Sequence, residues 1–432
     1  MHRKRDQSAS GKDQCLFPRI AAGMPAARQE GEVQSFLFAT GIENSSPCVR
    51  RPNGSMARVD QMELAGHYQR YQQDLSLAKS LGIDVLRYGV PYYRTHTGPG
   101  RYDWDFADAA FAEIARLGIT PCVDLCHFGL PDWLENFQNP DFPGHFADYA
   151  RAFAHRFPWV RLYTPINEMY VAAHFSAQLG LWNECEKSDR AFVTATKHIA
   201  KANLMATLAI MEAQPAARFI QSESSEYFHP ANPDAVKIAR SLNERRFLSL
   251  DLCYGYDLCA STYEYLLDNG MSRDEFHFFL DHNIRPVCIM GNDYYATNEH
   301  IVFPDGRTQQ YEMLGYYVIT KQYYDRYRLP VMHTETNNRD DGQNEKEARS
   351  WLERQWGNLV RLKEDGVPIV GFTWYSLIDQ VDWDTLLVEN NGRVNHYGLF
   401  DLERRIKPVG ELYRDLIGTW RGKISNGMLS LY

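Results

Sequence analysis

The sequence predicts an α/β fold, a (β/α)8 (TIM) barrel in a single domain with extended loops after its strands. Three observations predict it. From Phe36 onward, short apolar runs alternate with longer runs whose apolar residues recur every three or four positions. Glycines punctuate that alternation where a helix would hand over to a strand, as in Leu81-Gly82-Ile83, Leu117-Gly118-Ile119 and Asp365-Gly366-Val367. Nearly every strand-like run also ends in a polar or aromatic group, and the strand C-termini are where a barrel of this kind does its chemistry.

Taken in order, strands are expected at 36–40, 85–90, 120–126, 160–166, 218–222, 287–291, 330–334 and 369–374, each a short run rich in apolar and β-branched residues. Helices are expected at 68–81, 106–117, 145–157, 189–212, 272–283, 311–327 and 345–364. Phe106, Ala110, Phe111, Ile114 and Leu117 show the spacing that lays one face of such a helix on a sheet. A doubly wound open sheet is the alternative, but it would normally bring a Gly-rich phosphate turn after the first strand, and Phe38-Ala39-Thr40-Gly41-Ile42-Glu43 is no such turn. No linker composition divides the chain and no internal repeat is visible. Residues 33–420 are read as the barrel and 421–432 as a tail. Residues 1–32, rich in Arg, Gln, Ser, Ala and Gly, are read as a disordered lead.

At 432 residues, with 44% hydrophobic and 23% charged, the composition is that of a soluble globular protein able to bury a large core. A formal charge of −9 argues against a nucleic-acid partner. No apolar run has the length of a signal peptide core or a membrane span, so no membrane association is expected. The 8 cysteines are scattered without zinc-ligand spacing, which points to reduced thiols and a cytoplasmic location.

Two strand-like runs end in a carboxylate. Leu162-Tyr163-Thr164-Pro165-Ile166-Asn167 leads into Glu168, and Leu329-Pro330-Val331-Met332-His333-Thr334 leads into Glu335. Two strands of one barrel would bring both to one pocket, as hydrolysis of a glycosidic bond with retention requires: an acid to protonate the leaving oxygen and a carboxylate to attack the anomeric carbon. The other strand ends carry Glu43, Arg87, His127, Glu223, Asp293 and the 374–383 segment. Each has a plainer reading. Glu168 or Glu335 could cap the helix that follows, Arg87 could sit in a structural ion pair, and His127 could be a core imidazole. Trp374 reads as core, and Glu223 stays outside the catalytic set. The acidic tract near Asp340 reads as a solvated face. No phosphate cradle, metal-ligand spacing or nucleophilic Ser motif competes with the paired carboxylates.

Five segments, in order, resemble those of family 1 of the glycoside hydrolases, the β-glucosidase-type barrels, and the likeness runs from about Phe36 to Leu416. Thr164-Pro165-Ile166-Asn167-Glu168 is similar to the acid/base motif Thr-x-Asn-Glu-Pro, with one extra residue and Met169 for Pro. Thr334-Glu335-Thr336-Asn337 is similar to the nucleophile motif. Leu86-Arg87-Tyr88-Gly89-Val90 is similar to the strand whose Arg contacts the nucleophile. Leu125-Cys126-His127-Phe128-Gly129-Leu130-Pro131 is similar to the segment whose His binds the sugar. Tyr375-Ser376-Leu377-Ile378-Asp379-Gln380-Val381-Asp382-Trp383 is similar to the segment that closes the sugar pocket.

The resemblance implies Glu335 as nucleophile, held by Arg87 and the Tyr295 hydroxyl, and Glu168 as acid/base. It implies a carbohydrate substrate, no cofactor and no metal. Asn167 would contact the sugar 2-hydroxyl, while His127, Glu43, Asp382 and Trp383 would hold the other hydroxyls and one ring face. The chain departs from the family pattern at Glu43 (Gln in the family), Asp293 (Asn), Tyr375 (Trp) and Asp382 (Glu), so the expected glucosidase activity is weak. Members that take 6-phosphorylated sugars usually carry Ser where Asp382 stands, so no phospho-specificity is expected. A transglycosidase using the same carboxylates, or a barrel that binds sugar without turnover, are the alternatives.

Overall fold

The structure, a computed structural model, describes residues 36–338 and 345–425. The expectations for residues 1–32, for the tract around Asp340 and for most of 421–432 lie outside the described residues. Eight strands form a closed barrel: β1 (Leu37–Gly41), β2 (Val85–Gly89), β3 (Thr120–Asp124), β4 (Leu162–Thr164), β5 (Arg218–Ser224), β6 (Cys288–Asp293), β7 (Val331–Glu335) and β8 (Ile369–Trp374). Each pairs in parallel with its sequence neighbours, and β1 pairs with both β2 and β8, closing the ring. All eight fall on the expected runs. β4 is shorter than expected because Pro165 has no N–H to continue the ladder.

Alternation along the strands explains the two layers of core. Leu37, Ala39, Val85, Cys122, Leu162, Ile220, Ile289, Met332 and Val370 point inward and fill the barrel. Residues of opposite parity, such as Phe36, Phe38, Tyr88, Val123, Tyr163 and Phe219, pack outward against the helices. The expected helices appear as His67–Ser80, Asp105–Leu117, Phe142–Arg156, Asp189–Ala213, Arg273–Asp281, Gly315–Tyr327 and Glu345–Glu364. The eighth, Pro408–Trp420, is absent from the expectations, as are Val236–Arg245, Leu248–Tyr254 and Ala260–Asp268 between β5 and β6. The expected 311–327 helix starts later because Gly315 takes a positive φ of 75° and the preceding N–H groups are tied down elsewhere. Glu299 accepts from the backbone N–H of Met313, Leu314 and Gly315 at 3.0, 2.7 and 2.7 Å.

A buried ion pair closes the molecule. Arg404, near the C-terminal helix, donates to both oxygens of Asp74 on helix His67–Ser80 at 2.8 and 2.9 Å, and His67 Nδ1 lies 2.8 Å from the same carboxylate. Among the described residues no helix is long and apolar enough to cross a membrane, and all seven described cysteines are free thiols.

Candidate active site

The pocket lies at the C-terminal ends of the barrel strands and is organised around Arg87 on β2. Val85 faces the barrel interior, so Arg87, two residues on, faces the same way and emerges at its mouth. Its guanidinium is 2% exposed and forks among three acceptors. Nη1 donates to Glu335 Oε1, and Nη2 donates to Asn167 Oδ1 at 2.7 Å and to Asp124 Oδ2 at 3.1 Å. Tyr295, just after β6, donates its hydroxyl to the other oxygen of Glu335 at 2.7 Å. The nucleophile candidate thus receives a charge-assisted bond and a neutral one, which orient it.

Simple alternation does not put Glu335 there. Met332 faces inward and His333 outward, stacked on Tyr316 of the surrounding helices, so an unbroken strand would send Glu335 outward too. A register shift between β6 and β7 intervenes. Asn292 pairs with His333 but Asp293 pairs with Glu335, so Thr334 is left over and the chain turns Glu335 to the pocket.

Glu168 is delivered differently. Beyond β4 the chain stays tied to both neighbouring strands, with Asn167 N–H donating to Cys126 O at 3.0 Å and Glu168 N–H to Ser222 O at 3.1 Å. Glu168 occupies the N-cap position of helix Met169–Ala173 at φ 39°, yet its side chain makes no capping bond. That removes the reading of Glu168 as a helix cap. Glu223 from β5 caps instead, accepting the N–H of Tyr170 at 3.1 Å and the Ser249 hydroxyl at 2.7 Å. Its parity, opposite to inward-facing Ile220, aims it at the helices rather than the pocket.

The carboxyl group of Glu168 has no hydrogen-bond donor among the described residues. Burial, then the charges of Asp293, Glu335, Glu223 and Glu226, push its pKa well above the usual carboxylate value. One oxygen from each of Glu168, Asp293 and Glu335 lies within 4.8 Å of the others. Such spacing would suit a divalent cation in another protein. Here Arg87 stands as the counter-ion.

His127, following β3, points Nδ1 at Asp124 Oδ2 at 2.8 Å, and its Nε2 meets the Asn167 amide at 3.0 Å. The plain core reading of His127 thus gives way to a polar chain, Asp124–His127–Asn167–Arg87, around the carboxylates. Asp124 is missing from the residues singled out in the sequence. Its parity with inward-facing Cys122, three residues before His127, is the signal that would have found it. Glu43 sits 4.0 Å from His127 Nε2, accepts the Ser45 N–H at 2.8 Å, and is pushed up in pKa by burial. The Tyr375 ring lies 5.2 Å from the Arg87 guanidinium and presses on Gly41, where a Cβ would come within 2.3 Å of it. Only glycine fits beneath that ring.

Three further expected contacts, Asp382, Asp293 and Trp383, have these surroundings. Asp382 is buried and directs both oxygens at a loop, accepting the N–H groups of Asn391, Gly392 and Arg393 at 3.1, 3.0 and 2.8 Å. These three bonds tie the loop to the pocket segment. Asp293 is fully buried beside Glu335, with the Ser222 hydroxyl 2.8 and 2.7 Å from its two oxygens. Trp383 is half-buried against Phe128 and Trp182, at 6.4 and 6.1 Å between ring centroids.

The family model of Glycosyl hydrolase family 1 matches residues 49–275, more than half of the chain. The phospho-cellobiase of Klebsiella oxytoca is 23% identical over 73% of this chain and 76% of its own length. Beta-glucosidase A of Thermotoga maritima is 22% identical over 81% of this chain and 86% of its own. Among solved structures, a family 1 β-glucosidase from Thermotoga maritima in complex with isofagomine lactam superposes with a TM-score of 0.76 at 19% identity, covering 90% of this chain and 99% of that one. With its family match and its barrel, the chain belongs to glycosyl hydrolase family 1, the glycosidases that hydrolyse O-glycosyl bonds.

Proposed function

We propose that the protein hydrolyses β-glycosides with retention, by double displacement through a covalent glycosyl-enzyme on Glu335. The observation that carries this reading is the contrast between two buried carboxylates whose oxygens come within 4.8 Å. Glu335 is held by Arg87 and Tyr295, while Glu168, among the described residues, is left without a donor amid like charges. Environments that push two carboxyl groups apart in proton affinity sort them into nucleophile and acid. Their closeness suits direct attack; an inverting enzyme needs about 6.5–9.5 Å to seat a water between them.

In the first half of the reaction Glu335 attacks the anomeric carbon as the glycosidic C–O bond breaks, and the Glu168 proton passes to the leaving oxygen. In the second, Glu168 takes a proton from water, whose oxygen attacks the anomeric carbon and frees Glu335. One water is consumed and both carboxyl groups return to their starting state. Asn167 and His127 are proposed to orient the sugar hydroxyls, with Glu43 and Tyr375 lining the far wall. Several carboxylates against one guanidinium disfavour a sugar phosphate, so a non-phosphorylated glycone is proposed. The free thiols support a reducing, cytoplasmic setting.

The test is Glu335→Ala. Turnover of aryl glycosides in a panel of sugars should fall to a trace, and added azide should restore part of it as the glycosyl azide of inverted configuration. A variant that keeps a substantial fraction of wild-type rate would remove Glu335 from the mechanism.

A further inference from the structure

Retention by double displacement uses two carboxylates, but this pocket buries a third against them. Asp293 ends β6 directly opposite Glu335 across the register shift, is 0% exposed, and has an oxygen within 4.8 Å of both Glu168 and Glu335. The groups facing this trio are Arg87 from β2, Tyr295 after β6, Glu223 and Glu226 from β5 and the residues after it, and, on the Glu335 side, His127, Glu43 and Tyr375. Arg87 is the permanent cation, and it donates to Glu335, to Asp124 and to Asn167 but to neither Glu168 nor Asp293. His127, whose burial is outweighed by Asp124, Glu43 and Glu335 so that its pKa is raised, directs its nitrogens at Asp124 and Asn167 and not at this pair. Three buried carboxylates around one charge already engaged cannot all be ionised, because like charges at this separation in a low-dielectric pocket repel strongly.

Glu335 is paired with Arg87 and accepts a second donor, Tyr295, so the negative charge of the trio is best accommodated there. The remaining two groups must retain a proton, and their partners differ. Asp293 has the Ser222 hydroxyl against both of its oxygens, and a hydroxyl donating to a carboxylate favours its ionised form. Glu168 has no hydrogen-bond donor among the described residues. We propose that Asp293 is a positioning residue for the catalytic proton: it and Glu168 hold one proton between them, and Ser222, by donating to Asp293, directs that proton to Glu168. The negative charge on Asp293 then keeps Glu168 protonated to higher pH than Glu335 alone would. Burial, then the Glu335 charge, hold Asp293 well above the usual carboxylate value as well, against the lowering by Arg87 and by the hydroxyls of Thr334 and Ser222. The pair is therefore one shared titration whose last proton sits on Glu168.

The inference rests on Glu168 being the acid of the proposed reaction, so its test reads the proton directly rather than turnover. In protein carrying 13C-labelled glutamate side-chain carboxyls, the Glu168 signal, assigned by its loss in Glu168→Gln, is followed against pH. In Asp293→Asn, an amide of nearly the same shape without the charge, the Glu168 titration should move down by about one pH unit or more. Any aryl glycoside that is turned over should show the basic limb of kcat/KM falling by the same interval. A shift of less than about half a unit would overturn the proposal, since a merely structural role for Asp293 leaves the titration in place. Ser222→Ala gives an independent reading should Asp293→Asn fail to fold. Without its hydroxyl the shared proton moves toward Asp293, so the Glu168 curve should gain a step at lower pH; an unchanged curve overturns the proposal. A protein that shows these shifts but hydrolyses no glycoside would support the proton pair and sink the proposed hydrolysis.

Discussion

Glu168 and Glu335 are the same residue type at matching strand ends, yet their surroundings assign them opposite work. Glu335 receives Arg87 and Tyr295; Glu168, among the described residues, meets only burial and neighbouring negative charge. That difference separates their variants. With a dinitrophenyl glycoside the leaving group needs little protonation, so Glu168→Ala should still form the intermediate, release a burst of phenolate and then stall. With an alkyl glycoside it should be inert. Stopped-flow traces on both substrates decide the matter, and equal losses on the two would remove Glu168 as the acid. Glu168, Glu335, Arg87 and Asn167 were all legible in the sequence because each stands in or just after a recognisable strand-like run. Asp124 and Ser222 were not, since an Asp or Ser inside an apolar run is distinguished only by the partner it meets in space.

At the scale of elements, the pocket is framed by segments held through side chains from elsewhere in the chain. Asp382 accepts three consecutive backbone N–H groups of the 391–393 loop, and Glu223 caps the short helix that begins immediately after Glu168. Asp382→Ala would leave those N–H groups without their acceptor, at a cost on the order of 1–3 kcal/mol. A urea melt should show that loss of stability, together with reduced activity from a displaced loop. Were Asp382 instead a hydroxyl ligand, stability would hold and KM alone would rise. The segment 375–383 suggested a row of sugar contacts because its residue types match. Which way each side chain points depends on the backbone turn at Asp382, with φ 58°, and on the loop that returns beneath it, and neither is encoded in the local pattern.

Over the whole molecule, the barrel is closed by β1 pairing with β8 and fastened by Arg404 on Asp74, which joins the C-terminal region to the first long helix. Burial alone would raise Asp74, but hydrogen bonds from His67 and Arg404 outweigh it and hold its pKa below the usual value. A carboxylate depressed in the folded state contributes stability above its unfolded value of 3.8, and the contribution is lost as pH falls through the lower folded value. Arg404→Ala should therefore cost about 3 kcal/mol at neutral pH. In urea melts the gap from wild type should narrow only on acidification below the carboxylate range; a gap independent of pH would show that packing, not charge, fastens this end. The sequence by itself determined the strand and helix order, the parallel barrel, and which strands carry a carboxylate at their ends, because hydrophobic period and strand-end chemistry are local. Only the tertiary structure decided which way those carboxylates face. Period-two alternation sends Glu335 toward the helices, and it reaches the pocket because the pairing of β6 with β7 slips by one residue at Asp293. Register between strands some forty residues apart is set by how their side chains pack and pair, a property of two segments together that neither contains alone.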